Sequence, residues 1–203
     1  TRAALRSVLD EVTLEDIAPP IWRQLLLPPT LNLAELHHVI QAAFGWLDCH
    51  LHQFVVGGLR YGAPELLEQD FEDDSQVFEA TLIRLRDFEW SYTQPIRFLY
   101  LYDFGDDWRH RVELETRIAP DPARKYPACI DGARARPPED VGGVSGYAEF
   151  LEAWRDPDHE DHRHMRQWAG RSFDPERFDL AKTDHAVRSA PRKARKDYIF
   201  RRD

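Results

Sequence analysis

The alternation of hydrophobic and polar residues predicts a β-hairpin near the middle of the chain. Mostly apolar residues occupy every second position from Ile96 to Tyr102 and again from Trp108 to Ile118. This is the pattern of strands that bury one face. The two runs are joined by Phe104-Gly105-Asp106-Asp107, and a four-residue loop built on a type I turn favours Gly and Asp. The second strand should therefore turn an apolar face inward and a charged face outward.

Other segments show further periodicities. Apolar residues recur every three to four positions between residues 33 and 44, which predicts a helix with one apolar stripe. Strands are predicted at residues 6–12, 21–27 and 52–57. Residues 62–76 are acidic and typical of a loop, whereas residues 77–90 fit a helix or a strand equally well.

The chain changes character after the hairpin. Residues 119–146 are rich in proline and glycine, which predicts a long irregular loop. Amphipathic patterns then predict two helices, around residues 147–154 and 157–170. Together these segments predict an α+β fold with one domain, residues 1–185, in which a mostly antiparallel sheet packs against helices. Residues 186–203 are predicted to form a basic C-terminal tail.

Composition supports one soluble domain. The 203 residues are 42% hydrophobic, which is enough for one large core. No apolar run approaches the roughly 18 residues that span a bilayer, and no leader opens the chain, so we expect a soluble, cytoplasmic protein without membrane contact. Cys49 and Cys129 lack CxxC partners, so neither a disulfide framework nor a zinc ribbon is expected.

The net charge of −9 is unevenly distributed. Residues 188–203 contain seven basic and two acidic residues, a local charge of +5 on an acidic body. Basic segments can bind nucleic acid through phosphate contacts. The alternative is a solvated C-terminus without a ligand. The tail residues that would contact phosphates are Arg192, Lys193, Arg195 and Lys196.

Two histidines and the hairpin aspartates form the best catalytic hypothesis. His50 and His52 are two residues apart, a spacing that puts both imidazoles on one face of a strand. Asp48 or a hairpin carboxylate would complete a metal site with open positions, as in a metal-dependent hydrolase. In the alternative interpretation the aspartates accept hydrogen bonds from turn amides, and both histidines are structural. No metal or other cofactor is then expected. The hairpin aspartates are Asp103, Asp106 and Asp107.

A non-catalytic interaction function is the preferred hypothesis. The segments DFGDDW and PPEDVGGVSGY combine carboxylates with aromatic rings. Side by side, they would form a concave acidic-aromatic surface that receives a basic peptide, a protein partner or a cation. The residues predicted on this surface are Asp103, Asp106, Asp107, Trp108, Glu139, Asp140 and Tyr147.

Several long motifs occur in an order that resembles the plasmid pRiA4b ORF-3-like family, whose members are found on plasmids, in transposable elements and in chromosomes. The motifs are PPIWRQLLLP, LAELHHVIQAAFGWLDCHLHQF, YDFGDDWRHRVELE, YPACIDG, PPEDVGGVSGYAEFLEAWRDPDHEDH and FDPERFDL. The resemblance implies an α+β domain with a strongly bent, largely antiparallel sheet. It implies no established reaction or ligand.

One departure from the family pattern concerns cysteine. Family members often read ACPPEDCGG, whereas Arg136 and Val141 stand at the two cysteine positions here. A thiolate metal site cannot lose two sulfurs in this way and hold its metal unchanged. A thiolate-based role in relatives is therefore not expected to be general.

Overall fold

The structure is a computed structural model that describes residues 7–67, 76–88, 95–170 and 172–194. Within these residues the chain forms eight strands, five α-helices and one 3-10 helix, Leu85–Asp87. The strands are β1 (Ser7–Leu14), β2 (Ile21–Leu27), β3 (His52–Val56), β4 (Leu59–Gly62), β5 (Val77–Glu79), β6 (Ile96–Tyr102), β7 (Trp108–Ile118) and β8 (Ala128–Ala133). The helices are α1 (Leu33–Phe44), α2 (Pro64–Leu67), α3 (Gly143–Arg155), α4 (His162–Trp168) and α5 (Leu180–Ser189).

All eight strands form one mixed sheet in the order β5-β4-β3-β6-β7-β1-β2-β8. Neighbouring strands are antiparallel except β4 and β5, which are parallel. The register of β6 and β7 runs from Ile96 opposite Leu114 to Tyr102 opposite Trp108. This confirms the predicted hairpin. The first strand, β1, lies inside the sheet and joins β7 to β2.

The core lies between the sheet and the helices. Helix α1 begins with a capping box, in which Asn32 accepts from the amide of Glu35 and Glu35 accepts from the amide of Asn32. Such reciprocal bonds satisfy two amides that the first helical turn leaves unpaired. The apolar stripe of α1 is buried with the inward faces of β6 and β7. The prediction of a single α+β domain is confirmed.

Short elements account for most differences from the predicted secondary structure. Strand β8 lies within the predicted loop 119–146, and α3 begins inside it, at Gly143. Among the described strands β8 pairs with β2 alone, at the sheet edge, where a short strand tolerates Gly132. The prolines that masked its pattern lie on either side of it. Helix α4 is shorter than predicted because turns follow Asp156.

The predicted basic tail begins inside a folded element. Helix α5 crosses the boundary between residues 185 and 186 and packs against α1 and β8. Val187, Ala190 and Ala194 belong to the hydrophobic core, so the domain continues through the first part of that tail. Among the described residues, no helix combines the length and apolar character needed to cross a membrane.

Candidate functional site

Hydrogen bonds to Asp103 organise the loop between β6 and β7. The Oδ1 atom of Asp103 accepts from the amides of Gly105 at 3.0 Å and Asp106 at 3.4 Å. Its carbonyl accepts from the amide of Asp107 at 2.7 Å. Asp103 and Asp107 both have positive φ, which Asp tolerates better than most residues. The turn chemistry that the sequence predicts for these aspartates is therefore present.

A second loop, residues 135–142, is fixed against the hairpin loop. The Oδ2 atom of Asp106 accepts from the amide of Gly142 at 3.2 Å. A Cβ atom at position 143 would lie 2.5 Å from the carbonyl oxygen of Asp106, and Gly143 has a φ of +68°. Only glycine permits this approach in this conformation. The contact brings Glu139 and Asp140 next to the hairpin aspartates.

A third loop, which follows α1 and precedes β3, brings in His50. The Nε2 atom of His50 lies 3.0 Å from Oδ1 of Asp140 and 3.5 Å from Oδ2 of Asp103. Potential ligand atoms of these three residues all lie within 4.8 Å of one another. Cys49, His50 and Glu139 form a second group with the same property. We call these five residues the loop cluster.

Tyr102 supports one side of the loop cluster. Its hydroxyl oxygen accepts from the amide of Cys49 at 3.2 Å and lies 3.4 Å from Oε1 of Glu139. Burial and the hydrogen bond with the Cys49 side chain raise the pKa of Tyr102 well above its ordinary value, so the neutral hydroxyl can donate to the carboxylate. Glu139 also accepts from the amide of Leu47 at 2.7 Å. The carboxylate is therefore held in place from two directions.

His52 does not join His50 on a common face. Strand β3 begins at His52, so His50 lies before the strand and the alternation of a strand does not apply to it. The ring of His52 stacks on His37 at 3.4 Å with an interplanar angle of 7°. Burial, followed by the charge of His37, lowers the pKa of His52 well below its ordinary value. Of the predicted pair, only His50 reaches the hairpin aspartates.

The neighbours of His52 form a hydrogen-bonded network that the sequence analysis did not predict; its members are buried except Asp48. Asp48 lies 2.7 Å from Nε2 of His37 and 3.2 Å from Nδ1 of His38. The Tyr100 hydroxyl lies 2.8 Å from Nδ1 of His37 and accepts from Gln41 at 2.9 Å. Burial opposes ionisation of Asp48, yet the hydrogen bonds from both histidines hold its pKa well below the ordinary range. The network ties α1 to β6, and the adjacent histidines of α1 were its only sequence signal.

The aromatic members of the predicted surface are core residues. Trp108 is fully buried, with its ring 5.7 Å from that of Trp46, because it occupies an inward position of β7. Tyr147 lies on the inward stripe of α3 and stacks with Phe150. The expected acidic-aromatic surface is therefore reduced to its carboxylates. Of these, Asp103 is also buried.

Two further sets of residues from the sequence analysis are a family cysteine position, Arg136, and the basic residues of the C-terminal tail. The guanidinium of Arg136 lies 4.8 Å above the ring of Trp46 and donates to the carbonyl of Gly45. At this family cysteine position the chain therefore has an arginine that makes a cation–π contact. Arg192 and Lys193 are exposed just beyond α5. Arg195 and Lys196 lie outside the described residues.

Fold and site together define an α+β domain in which three loops assemble a His-carboxylate cluster at one end of a mixed sheet. The chain belongs to the plasmid pRiA4b ORF-3-like protein family, whose sequence profile matches residues 8–182. This confirms the resemblance drawn from the sequence motifs.

Two relatives extend this comparison. The uncharacterised protein y4hQ of Sinorhizobium fredii strain NGR234 is 36% identical over 178 residues, which cover 87% of this chain and 88% of the relative. The crystal structure of MM3350, a protein of unknown function from Methanosarcina mazei Go1, is similar with a TM-score of 0.76 and 34% identity. The likeness covers 87% of this chain and 96% of that one. MM3350 shares the fold, and neither description states an activity.

Proposed function

We propose that the loop cluster binds a divalent metal ion and that the protein is a metal-dependent hydrolase. The observation that carries the proposal is the placement of one imidazole nitrogen between two carboxylates. Nε2 of His50 lies 3.0 Å from Asp140 and 3.5 Å from Asp103. Imidazole nitrogen and carboxylate oxygen are ligands that zinc, manganese and iron accept.

The distances fit a small ion. Zinc lies about 2.0–2.2 Å from nitrogen and carboxylate ligands, so two ligand atoms at a tetrahedral angle are about 3.4 Å apart. The two distances from His50 fall on either side of this value. An ion could therefore enter with small side-chain movements.

One of the proposed ligands, Asp103, is held in place by the protein without an ion. Oδ1 of Asp103 is held by two turn amides, which leaves Oδ2 directed at His50. The Asp103 side chain is only 9% exposed, whereas Asp140 is 70% exposed. One ligand is thus fixed by its surroundings, and the other is free to adjust. Hydrogen bonds of this kind around a metal ligand commonly fix its orientation.

Three protein ligands leave coordination positions open, as in catalytic rather than structural sites. A bound divalent ion supplies Lewis acidity, which makes water nucleophilic at neutral pH. Glu139 belongs to the neighbouring ligand group that shares His50 and is held by Leu47 and Tyr102. It is the carboxylate best placed to accept a proton beside the site.

The acidic surface is a weaker candidate for partner binding because its carboxylates are engaged. Asp106 accepts from Gly142, and Asp107 pairs with Arg109 at 3.0 Å. Binding of a basic partner there, or of nucleic acid by the C-terminal basic residues, stays a prediction.

Metal content tests the first half of the proposal. Protein incubated with Zn²⁺ or Mn²⁺ and then desalted should retain about one ion per chain, and His50→Ala should retain almost none. The matched control is His185→Ala, which removes an exposed imidazole of α5 and should leave the metal content unchanged. Undiminished metal in His50→Ala would exclude the site.

Hydrolysis tests the second half. The metal-loaded protein is assayed against chromogenic carboxylic esters, amides and phosphodiesters, with and without a chelator. We expect turnover of at least one class, lost with the chelator and in Glu139→Gln. Stoichiometric metal binding without turnover of any class would refute the hydrolase assignment and leave the metal site standing.

A further inference from the structure

A recess lies beside the loop cluster. A groove of about 940 Å³ runs between the C-terminal end of α1, residues 135–139, the end of α4 and helix α5. Glu139 and Leu47 border it on the side of the loop cluster. Its volume is near the upper end of the range for ligand sites, about 300–1,000 Å³.

The acidic residues of this groove have hydrogen-bond partners, whereas three of its basic residues have none among the residues that the structure describes. Its carboxylates bond backbone amides: Asp174 accepts from Glu176, Asp179 accepts from Lys182, and Glu139 accepts from Leu47. By contrast, the side chains of three exposed cations have no hydrogen-bond or ion-pair partner within the described part of the chain. These cations are Arg177, Lys182 and Lys193. The charged side chains of the groove that lack a partner within the described residues are therefore cationic, although the whole chain carries −9.

The groove also presents apolar surface. Trp168 is 45% exposed and Leu47 is 69% exposed, both on its lining. Phe173 and Phe178 line it as well and pack partly against the core. Large exposed apolar side chains next to unpaired charges are typical of a recognition surface rather than of a solvated face.

We infer that this groove binds an acidic peptide segment that carries apolar side chains. Carboxylates of the segment would meet the three cations, and its apolar side chains would cover Trp168 and Leu47. The complementarity of charge favours this occupant over a basic peptide. It also favours it over nucleic acid, since three cations neutralise few phosphates and the acidic body repels a polyanion.

The inference goes beyond the proposed hydrolase and does not depend on it. None of the three cations belongs to the loop cluster, and binding is measured in the presence of a chelator. A failure of peptide binding therefore leaves the metal site unaffected, and a failure of metal binding leaves the groove unaffected.

Fluorescence anisotropy tests the groove directly. The probe is a short fluorescein-labelled peptide of alternating Glu and Leu, and the comparison probe replaces every Glu with Lys. We expect saturable binding of the acidic probe alone. The double variant Lys182→Glu, Lys193→Glu should weaken it by about tenfold or more, since charge reversal adds repulsion where attraction stood.

The matched control is Arg124→Glu, Lys125→Glu, which makes the same change in net charge at two exposed residues outside the groove. It should weaken binding by less than about twofold, as expected for screened charges at a distance. Trp168→Ala should weaken binding without changing net charge.

Three results would overturn the inference. The first is equal weakening of peptide binding in the two double variants, which would show that only the net charge of the protein matters. The second is equal binding of the basic probe. The third is displacement of the acidic peptide by a single-stranded oligonucleotide at similar concentration, which would make the groove a polyanion site.

Discussion

The contact between Gly143 and the hairpin loop should control both the stability of the domain and the loop cluster. In Gly143→Ala, the new Cβ atom would lie 2.5 Å from the carbonyl oxygen of Asp106. A Cβ atom and a backbone oxygen cannot lie this close together, so the two loops must move apart. That movement would break the 3.2 Å bond between Gly142 and Asp106 and carry Asp140 away from His50.

Gly170 provides the control because it isolates the clash. It also has a positive φ, of +83°, but a Cβ atom there would meet nothing within 4 Å. An alanine in this conformation costs about 1–2 kcal/mol at either position. At position 143, overpacking adds about 1–3 kcal/mol, and the lost hydrogen bond adds about 1 kcal/mol. Gly143→Ala should thus lower the free energy of unfolding by about 3–6 kcal/mol, and Gly170→Ala by about 1–2 kcal/mol.

Urea unfolding of both variants measures this difference, and metal content is measured on the same samples. Metal retention should fall in Gly143→Ala and stay unchanged in Gly170→Ala. Equal destabilisation of the two variants would show that backbone conformation alone determines the cost. The close approach of the two loops would then have no energetic role, and the reasoning would fail.

Two carboxyl groups, the buried Asp10 and the partly exposed Asp48, should respond to pH in opposite directions. Burial, followed by the charges of Glu115 and Glu11, raises the pKa of Asp10. The contribution of Asp10 to stability is therefore present below pH about 3.9 and is lost as pH rises through the folded-state pKa. Asp10→Asn should therefore stabilise the protein at pH 7 by about 1–3 kcal/mol, and a decrease on urea unfolding would contradict this. The pKa of Asp48 is lowered, so its contribution is present above pH about 3.9 and is lost as pH falls. Asp48→Asn should lower the free energy of unfolding at pH 7 by about 1.5–3 kcal/mol and by less at pH 3. An equal loss at the two pH values would show that the ionised carboxylate is not the cause of the stabilisation.

Long periodic segments were predictable from the sequence, and short ones were not. The hairpin of β6 and β7 and helix α1 follow local periods of two and three to four residues, respectively, over many positions. Strands β4 and β5 span four and three residues, too few for a period to emerge. Strand β8 is defined by its pairing with β2, a long-range contact that composition conceals.

The candidate site shows the same division. Turn chemistry around Asp103 could be predicted because its bonds lie within four residues. The approach of Asp140 to His50 depends on how three separate loops pack, which no local pattern encodes. The error over His52 has a specific origin: the alternation of a strand was applied to His50, although the strand was predicted, and is found, to begin only at residue 52.

The central position of β1 has a consequence for synthesis of the chain. Although β1 leaves the ribosome before β2 and well before β7, one of its two partners is β7, which begins only at Trp108. At about 5–20 residues per second, the hairpin of β1 and β2 would present an open edge for roughly 5–20 s before β7 arrives. Exposed edges of this kind pair readily with other chains. Slow translation of the middle of the chain should therefore favour aggregation of nascent molecules, even though β1 is paired on both sides in the finished sheet.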